Sequence, residues 1–176
     1  MKSSKIGHIG VVVENLPEAV KLYSNILGIK KWYEINYDDG INIQYHGKPS
    51  QSSARLVFGG NGHTVIELIK TEGEENIYTN ALKNKGSHIH HIQYDVKNLD
   101  KSIAEAESAG LQVFQSGQFK SGGAKIRYAY VGKKEDETIL EYVETNIFGK
   151  TMKFNFQIPN NPNYGNHGKA NKSIGQ

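Results

Sequence analysis

Two histidines and two glutamates recur at matching places in this chain of 176 residues, and they could hold a metal ion. Residues 8–16 read HIGVVVENL and residues 91–99 read HIQYDVKNL, at a constant offset of 83 positions. Each copy opens on histidine, runs through an apolar alternation and ends in Asn-Leu. Downstream, TVIELIK carries Glu67 and TILEYVE carries Glu141. Residues two apart on a strand share a face. Glu67 therefore lies between Val65 and Ile69, and Glu141 between Ile139 and Val143. A carboxylate in such company is desolvated, which is costly unless it is paired or bound to a metal. His8 shares a face with Gly10 and Val12, and His91 with Gln93 and Asp95, whereas Ile9-Val11-Val13 and Ile92-Tyr94-Val96 form more apolar faces suited to packing on helices. Two neutral imidazoles and two carboxylates make a mixed nitrogen and oxygen site for one divalent ion, with Co, Ni, Zn, Mn and Fe all suitable.

Taken singly, a strand histidine is most often structural, and a strand glutamate most often solvated or paired with a lysine. Recurrence of both types at the same place in two units favours a joint site. The run SHIHHI also offers His88 and His90. The repeat offset selects His91, and alternation turns His90 to the other face. His46, His63 and His167 have no counterpart in the repeat and read as loop or tail residues.

A net charge of only +3 is too weak to argue for a nucleic-acid partner. No acidic residue follows Glu144, while Lys150, Lys153, Lys169 and Lys172 do, so the basic character belongs to the tail. The absence of cysteine excludes disulfides, thiolate ligands and thiol catalysis. No apolar run approaches the roughly 18 residues of a membrane span, so no membrane partner is expected. The opening MKSSKIGHIG lacks the apolar stretch of a signal peptide. Together these features point to a cytoplasmic protein.

The elements that must position the four residues repeat with them. Module one, residues 5–71, begins with a strand from Ile6 to Val13. Pro17 suits the first turn of a helix that Gly28 stops. A strand near Lys31–Tyr37, a polar loop from Gly47 to Ser53, and strands Arg55–Phe58 and Thr64–Lys70 follow, the last two joined by a Gly-Gly-Asn-Gly turn. A linker helix is read from Glu74 to Lys85 within residues 72–87. Module two, residues 88–146, has a strand His90–Val96, a helix Asp100–Ala109 ended by Gly110, and strands near Gln112–Gln115, Ile126–Val131 and Thr138–Val143. Each module is thus βαβββ, and residues 1–146 read as one domain. Residues 147–176 form an Asn/Gly/Lys-rich extension with the character of a flexible tail, in which KFNFQI alternates and could add an edge strand.

The segments HIGVVVENLPEAVKLYSNILG, VIELI, SHIHHIQYDVKNLDKSIAEAESAG and ILEYVE resemble the vicinal oxygen chelate superfamily, to which glyoxalase I belongs. The double histidine before IQYDVKNLD most resembles methylmalonyl-CoA epimerase and its glyoxalase-like neighbours. The resemblance covers roughly residues 5–144. It implies an α+β fold in which two tandem βαβββ modules form a cup-shaped, eight-stranded mixed sheet around a metal. The family's two histidines fall on His8 and His91, its first-module acid on Glu67 and its terminal glutamate on Glu141.

What the resemblance implies for activity is proton transfer next to a carbonyl, on a small-molecule substrate that chelates the metal through its oxygens. The expected activity is that of an epimerase, isomerase or lyase, with Glu141 as base and Glu67 as second participant. Arg55 and Arg127, with Lys125, are candidates to hold an anionic substrate, and Gln44 and Tyr128 to line the cup. Arg55 stands near the place where some epimerases carry an acidic base. An Fe(II) dioxygenase is a competing class, but its pattern does not use the first-module acid as a ligand. Another specialised natural-product enzyme and a non-catalytic antibiotic-sequestering protein are further alternatives, although sequestering relatives commonly lose the ligands that are all present here. Single-domain members commonly form homodimers, so a homodimer is expected.

Overall fold

The computed structural model describes residues 5–36, 41–62, 64–121, 123–147 and 150–152. Its elements run β1 (Ile6–Val12), α1 (Leu16–Leu27), β2 (Trp32–Asn36), β3 (Ile41–Tyr45), β4 (Lys48–Pro49), β5 (Ser52–Gly60), β6 (Val65–Gly73), α2 (Ile77–Lys85), β7 (His88–Asp95), α3 (Leu99–Ser108), β8 (Gln112–Ser121), β9 (Ala124–Gly132), β10 (Ile139–Ile147) and β11 (Lys150–Met152). The repeated Asn-Leu is a helix start. The Asn15 side chain accepts from the Glu18 amide at the head of α1, and Asn98 does the same for Lys101 at the head of α3. Gly28, in the left-handed region at φ 67°, ends α1.

The strands form one mixed sheet in the order β2-β5-β6-β1-β7-β10-β9-β8-β3-β4, with β11 on β10. Antiparallel β1 and β7 lie at its centre. On either side comes a parallel neighbour, β6 beside β1 and β10 beside β7, and then antiparallel strands. Chain connectivity forces the sheet to curl. Strand β2 ends one edge and β3 lies beyond β8 near the other, yet only four residues separate Asn36 from Ile41, five Cα steps with a reach of about 18 Å at most.

The expectation of eight strands is corrected to eleven among the described residues. Eight match the predicted ones, and β3, β4 and β11 are additional. The β3–β4 hairpin turns on His46 and Gly47, both at positive φ (48° and 72°), as a two-residue primed turn requires. His-Gly is a weak turn signal beside Asn-Gly, and the strands it joins are very short, so the alternation there carries little information. KFNFQI and the rest of the proposed tail lie outside the described residues.

The sheet separates two kinds of packing. Helix α1 lays Leu16, Ala19 and Val20 on Val11, Val13, Val57 and Leu68, and α3 lays Leu99 and Ala106 on Ala129 and Val131. The opposite, inner face gathers Val12, Leu56, Phe58, Ile69, Tyr128, Tyr130 and Ile139, and here α2 inserts Ile77, Tyr78 and Ala81. No helix among the described residues is long and apolar enough to cross a membrane.

Helix α2 is fixed in the cup by Asn76, which is fully buried. Its side-chain oxygen accepts from the Tyr78 and Thr79 amides, its amide group donates to Thr71, and Thr79 Oγ1 returns a bond to the Asn76 backbone. Asn76→Ala is therefore expected to lower stability by about 1–2 kcal/mol. Urea unfolding followed by circular dichroism measures this, and an unchanged midpoint would contradict it.

Candidate metal centre

Four neighbouring strands, β6, β1, β7 and β10, each deliver one donor to the inner face: Glu67, His8, His91 and Glu141. All four side chains are buried. His8 Nε2 lies 3.1 Å from His91 Nε2, 3.1 Å from Glu67 Oε2 and 3.2 Å from Glu141 Oε2. His91 Nε2 lies 3.2 Å from Glu67 Oε2 and 3.5 Å from Glu141 Oε2. The donor atoms of His8, His91 and Glu141 all fall within 4.8 Å of one another, and Glu67 Oε2 approaches the same two histidines from β6.

These residues fit a divalent ion. Bonds of about 2.0–2.1 Å imply donor–donor edges of roughly 3.0 Å in an octahedron and 3.4 Å in a tetrahedron. The histidine–histidine and histidine–carboxylate separations, 3.1–3.5 Å, span that range. In addition, Oε2 of both Glu67 and Glu141 is buried and lies against the histidine Nε2 atoms, which leaves two lone-pair donors facing inward.

Two register slips between β1 and β7 aim the histidines. Ile6 pairs with Tyr94 and Ile9 with Ile92, so Gly7 and His8 together oppose Gln93. Gly10 pairs with His91 and Val11 with Ile89, so His90 is an extra residue. Such bulges bend a strand and redirect its side chains. The second slip corrects the expectation that His90 faces away from His91. His90 is buried on the inner side, with Nδ1 3.0 Å from His91 Nδ1 and its ring against Tyr78 and Tyr130. His91 in turn lies over Gly10, where an added Cβ would meet the ring Cε1 at 2.1 Å.

The electrostatics without an ion are those of a buried ion pair. Burial alone would lower the His8 pKa, but the Glu67 charge, then contacts with Glu141 and Glu67, raise it from 6.5 to about 10. Burial would raise the Glu67 pKa, but His8, followed by His91, lowers it from 4.5 to about 2. Burial, then the neighbouring His91 and His88, holds His90 well below its ordinary value. Around the donors stands an aromatic wall. Phe58 meets His8 edge-on at 5.6 Å, Tyr130 lies 5.0 Å from His91, and the Tyr78 and Tyr130 hydroxyls are 2.5 Å apart. Burial above all keeps both hydroxyls protonated far beyond the usual tyrosine range.

Neither predicted substrate-binding arginine reaches the donors. Arg55 alternates with Ala54 and Leu56, which face inward, so its side chain lies on the outer face, where Nε is 2.5 Å from Glu34 Oε1. Arg127 alternates with Ile126 and Tyr128 and pairs with Asp100 of α3 at 2.5 Å. Gln44 and Lys125 are exposed, whereas Tyr128 is buried on the inner face. The residues that sequence reasoning missed are Gly10, Tyr78, Tyr130 and His90. Tyr130 was visible in principle through the period-two run Ile126-Tyr128-Tyr130. Tyr78 was not, because nothing in the sequence says which face of the sheet the linker helix covers.

A family model described as the Glyoxalase/Bleomycin resistance protein/Dioxygenase superfamily matches residues 7–130, a span that includes three of the four donors. Over 102 residues the chain is 26% identical to the mitochondrial methylmalonyl-CoA epimerase of Homo sapiens, which covers 57% of this chain and 51% of that protein. Over 119 residues it is 29% identical to the ethylmalonyl-CoA/methylmalonyl-CoA epimerase of Cereibacter sphaeroides, covering 67% and 80%. The chain spans about half the length of the mitochondrial relatives it matches. Among solved structures, the methylmalonyl-CoA epimerase of Mycobacterium tuberculosis superimposes with a TM-score of 0.56 at 20% identity, over 81% of this chain and 91% of that one. A hypothetical protein from Bacillus halodurans gives 0.58 at 23% identity, over 81% and 94%. At these identities the structural likeness speaks for the fold.

Two outcomes follow from the geometry. Gly10→Ala should displace the His91 ring and weaken divalent-metal binding while the fold persists, as read by titration calorimetry beside circular dichroism; unchanged affinity would contradict the close approach. The pH dependence has a definite sign. Stability from the raised His8 pKa is complete below 6.5 and is lost as pH rises through about 10. Stability from the lowered Glu67 pKa is complete above 4.5 and is lost as pH falls through about 2. Metal-stripped protein should thus lose thermal stability as pH rises from 6.5 to about 10, and His8→Gln should flatten that decline. Parallel profiles for the two proteins would contradict the ion pair.

Proposed function

Because the chain belongs to the Glyoxalase/Bleomycin resistance protein/Dioxygenase superfamily, the vicinal oxygen chelate proteins, we propose that it is a metal-dependent enzyme that transfers a proton next to a carbonyl, in the manner of an epimerase. The observation that carries this reading is the convergence of four buried donors, two from each half of the chain, within 3.1–3.5 Å of the histidine Nε2 atoms. We read residues 1–146 as one domain built from a duplicated βαβββ unit. The pairing of β6 with β1 and of β10 with β7, both parallel, supports it.

In this reading His8, Glu67, His91 and Glu141 hold one divalent ion. When bound, the ion supplies Lewis-acid stabilisation to a carbonyl oxygen that gains negative charge as the adjacent C–H is broken. Glu141 takes the proton and Glu67 is the second participant. Epimerisation needs an acid/base group on each side of a planar carbanion, and these two carboxylates come from opposite halves of the sheet. Among the described residues, the other buried carboxylates are engaged elsewhere: Glu34 pairs with Arg55, and Glu144 accepts the Leu99 amide at the head of α3. The inner face of β5, with Ala54, Leu56 and Phe58, offers no acid. Phe58, Tyr78 and Tyr130 exclude water from the donors and so strengthen their electrostatics.

The substrate class is a small molecule that presents metal-chelating oxygens beside an acidic C–H. Relatives named as methylmalonyl-CoA epimerases support an acyl thioester as the first probe. A homodimer acting in the cytoplasm, without nucleic-acid or membrane partners, completes the proposal. A lactoylglutathione lyase-like reaction would use the same proton transfer on a different substrate. The presence of Glu67 among the donors disfavours an Fe(II) dioxygenase, and the intact donor set disfavours a sequestering protein.

The test is anaerobic incubation of metal-loaded protein with methylmalonyl-CoA in D₂O, with deuterium at carbon 2 read by mass spectrometry. Exchange is expected, and Glu141→Gln should slow it by about 10²- to 10⁴-fold. Absence of exchange both there and with the hemithioacetal of methylglyoxal and glutathione, or oxygen consumption in an aerobic control, would contradict the proton-transfer reading.

A further inference from the structure

The metal-centre reading leaves His90 unexplained: it is buried, and Nε2 of its ring has no hydrogen-bond partner. Its place in the fold is specific. His90 is the extra residue of the β7 bulge, and without the slip its ring would lie on the other face of the sheet. The bulge instead puts its Nδ1 3.0 Å from Nδ1 of His91, with the two rings nearly perpendicular at 89°. Tyr78 and Tyr130 pack together against the ring at 5.2 and 5.8 Å, and their hydroxyls bond to each other.

Two facing Nδ1 atoms make a hydrogen bond only if one carries the hydrogen. His91 points Nε2 at the other donors; as a ligand to a bound metal it would offer its lone pair there, and the hydrogen of the neutral imidazole would then sit on Nδ1. His90 must accept it at its own Nδ1 and carry its hydrogen on Nε2, the atom left without a partner. We infer that His90 is a positioning residue for the metal centre: it accepts the His91 Nδ1–H and so fixes both the tautomer and the ring orientation that present His91 Nε2 as a ligand. Metal-ligating histidines ordinarily donate their second ring N–H to a carboxylate, a carbonyl or water. Here a second imidazole, brought round by the bulge, takes that place. The inference rests on the metal-centre reading and adds a residue with a distinct chemical task.

Zinc affinity, measured by competition with a chromophoric chelator, tests it with three variants. His90→Leu fills the volume without an acceptor and should weaken zinc binding about ten- to a hundredfold. His90→Asn places Oδ1 where Nδ1 stood and should recover most of the affinity, whereas His90→Gln, whose oxygen mimics Nε2, should not. In zinc-loaded wild type, ¹⁵N spectra should show His91 hydrogenated at Nδ1 and His90 at Nε2. His90→Leu within twofold of wild type, equal affinities for the Asn and Gln variants, or the opposite tautomers would overturn the positioning role. Should His90→Leu fail to fold, the Asn–Gln comparison and the wild-type tautomers still decide. Wild type that takes up neither zinc nor any of Co, Ni, Mn and anaerobic Fe(II) would overturn the metal-centre reading itself, an outcome distinct from the others.

Discussion

Burying two carboxylates and two imidazoles around one point costs several kcal/mol per ion unless compensating charge and close geometry are supplied there. The central strands are arranged around that constraint. β6, β1, β7 and β10 are consecutive in the sheet, and each contributes one donor. The β1–β7 junction, where the two histidines meet, is also where the register slips twice. Without an ion, His8 and Glu67 neutralise each other, which is why the imidazole titrates high and the carboxylate low. A divalent cation would replace the His8 proton in the same role, so metal binding and proton release are linked.

The rest of the fold keeps water from these charges. Helices α1 and α3 cover the outer face with ordinary aliphatic packing, while α2 brings Tyr78 to the inner face beside Tyr130 and His90. The short span in sequence between the end of β2 and the start of β3, strands near opposite ends of the sheet, makes a flat sheet impossible. The β3–β4 hairpin is then fastened through Tyr45 and His46 to Glu135 in the turn between β9 and β10. The donors thus sit in a site whose walls are built from both halves of the chain.

Much of this was legible in the sequence because it rests on periodicity and repetition. The alternation around Glu67 and Glu141 put both carboxylates on buried faces, and the offset of 83 singled out His8 and His91. The three helices lie within two or three residues of their predicted starts, since Asn caps, Pro17 and the stop glycines are local signals. What escaped was non-local. A bulge is a mismatch between two strands, so His90 was assigned by alternation to the wrong face. Arg55 and Arg127 looked like anion binders by type, yet period two places them with outward neighbours and partners on β2 and α3. The hairpin at Ile41–Pro49 depends on positive φ at His46, which residue type alone signals weakly.

Metal content is the most direct measurement of the central claim. Elemental analysis of the purified protein beside His91→Ala should find about one divalent ion per chain in the wild type and none in the variant. Wild-type protein that holds no metal, even after reconstitution with Co, Ni, Mn, Zn and anaerobic Fe(II), would contradict the assignment of His8, Glu67, His91 and Glu141 as one metal centre.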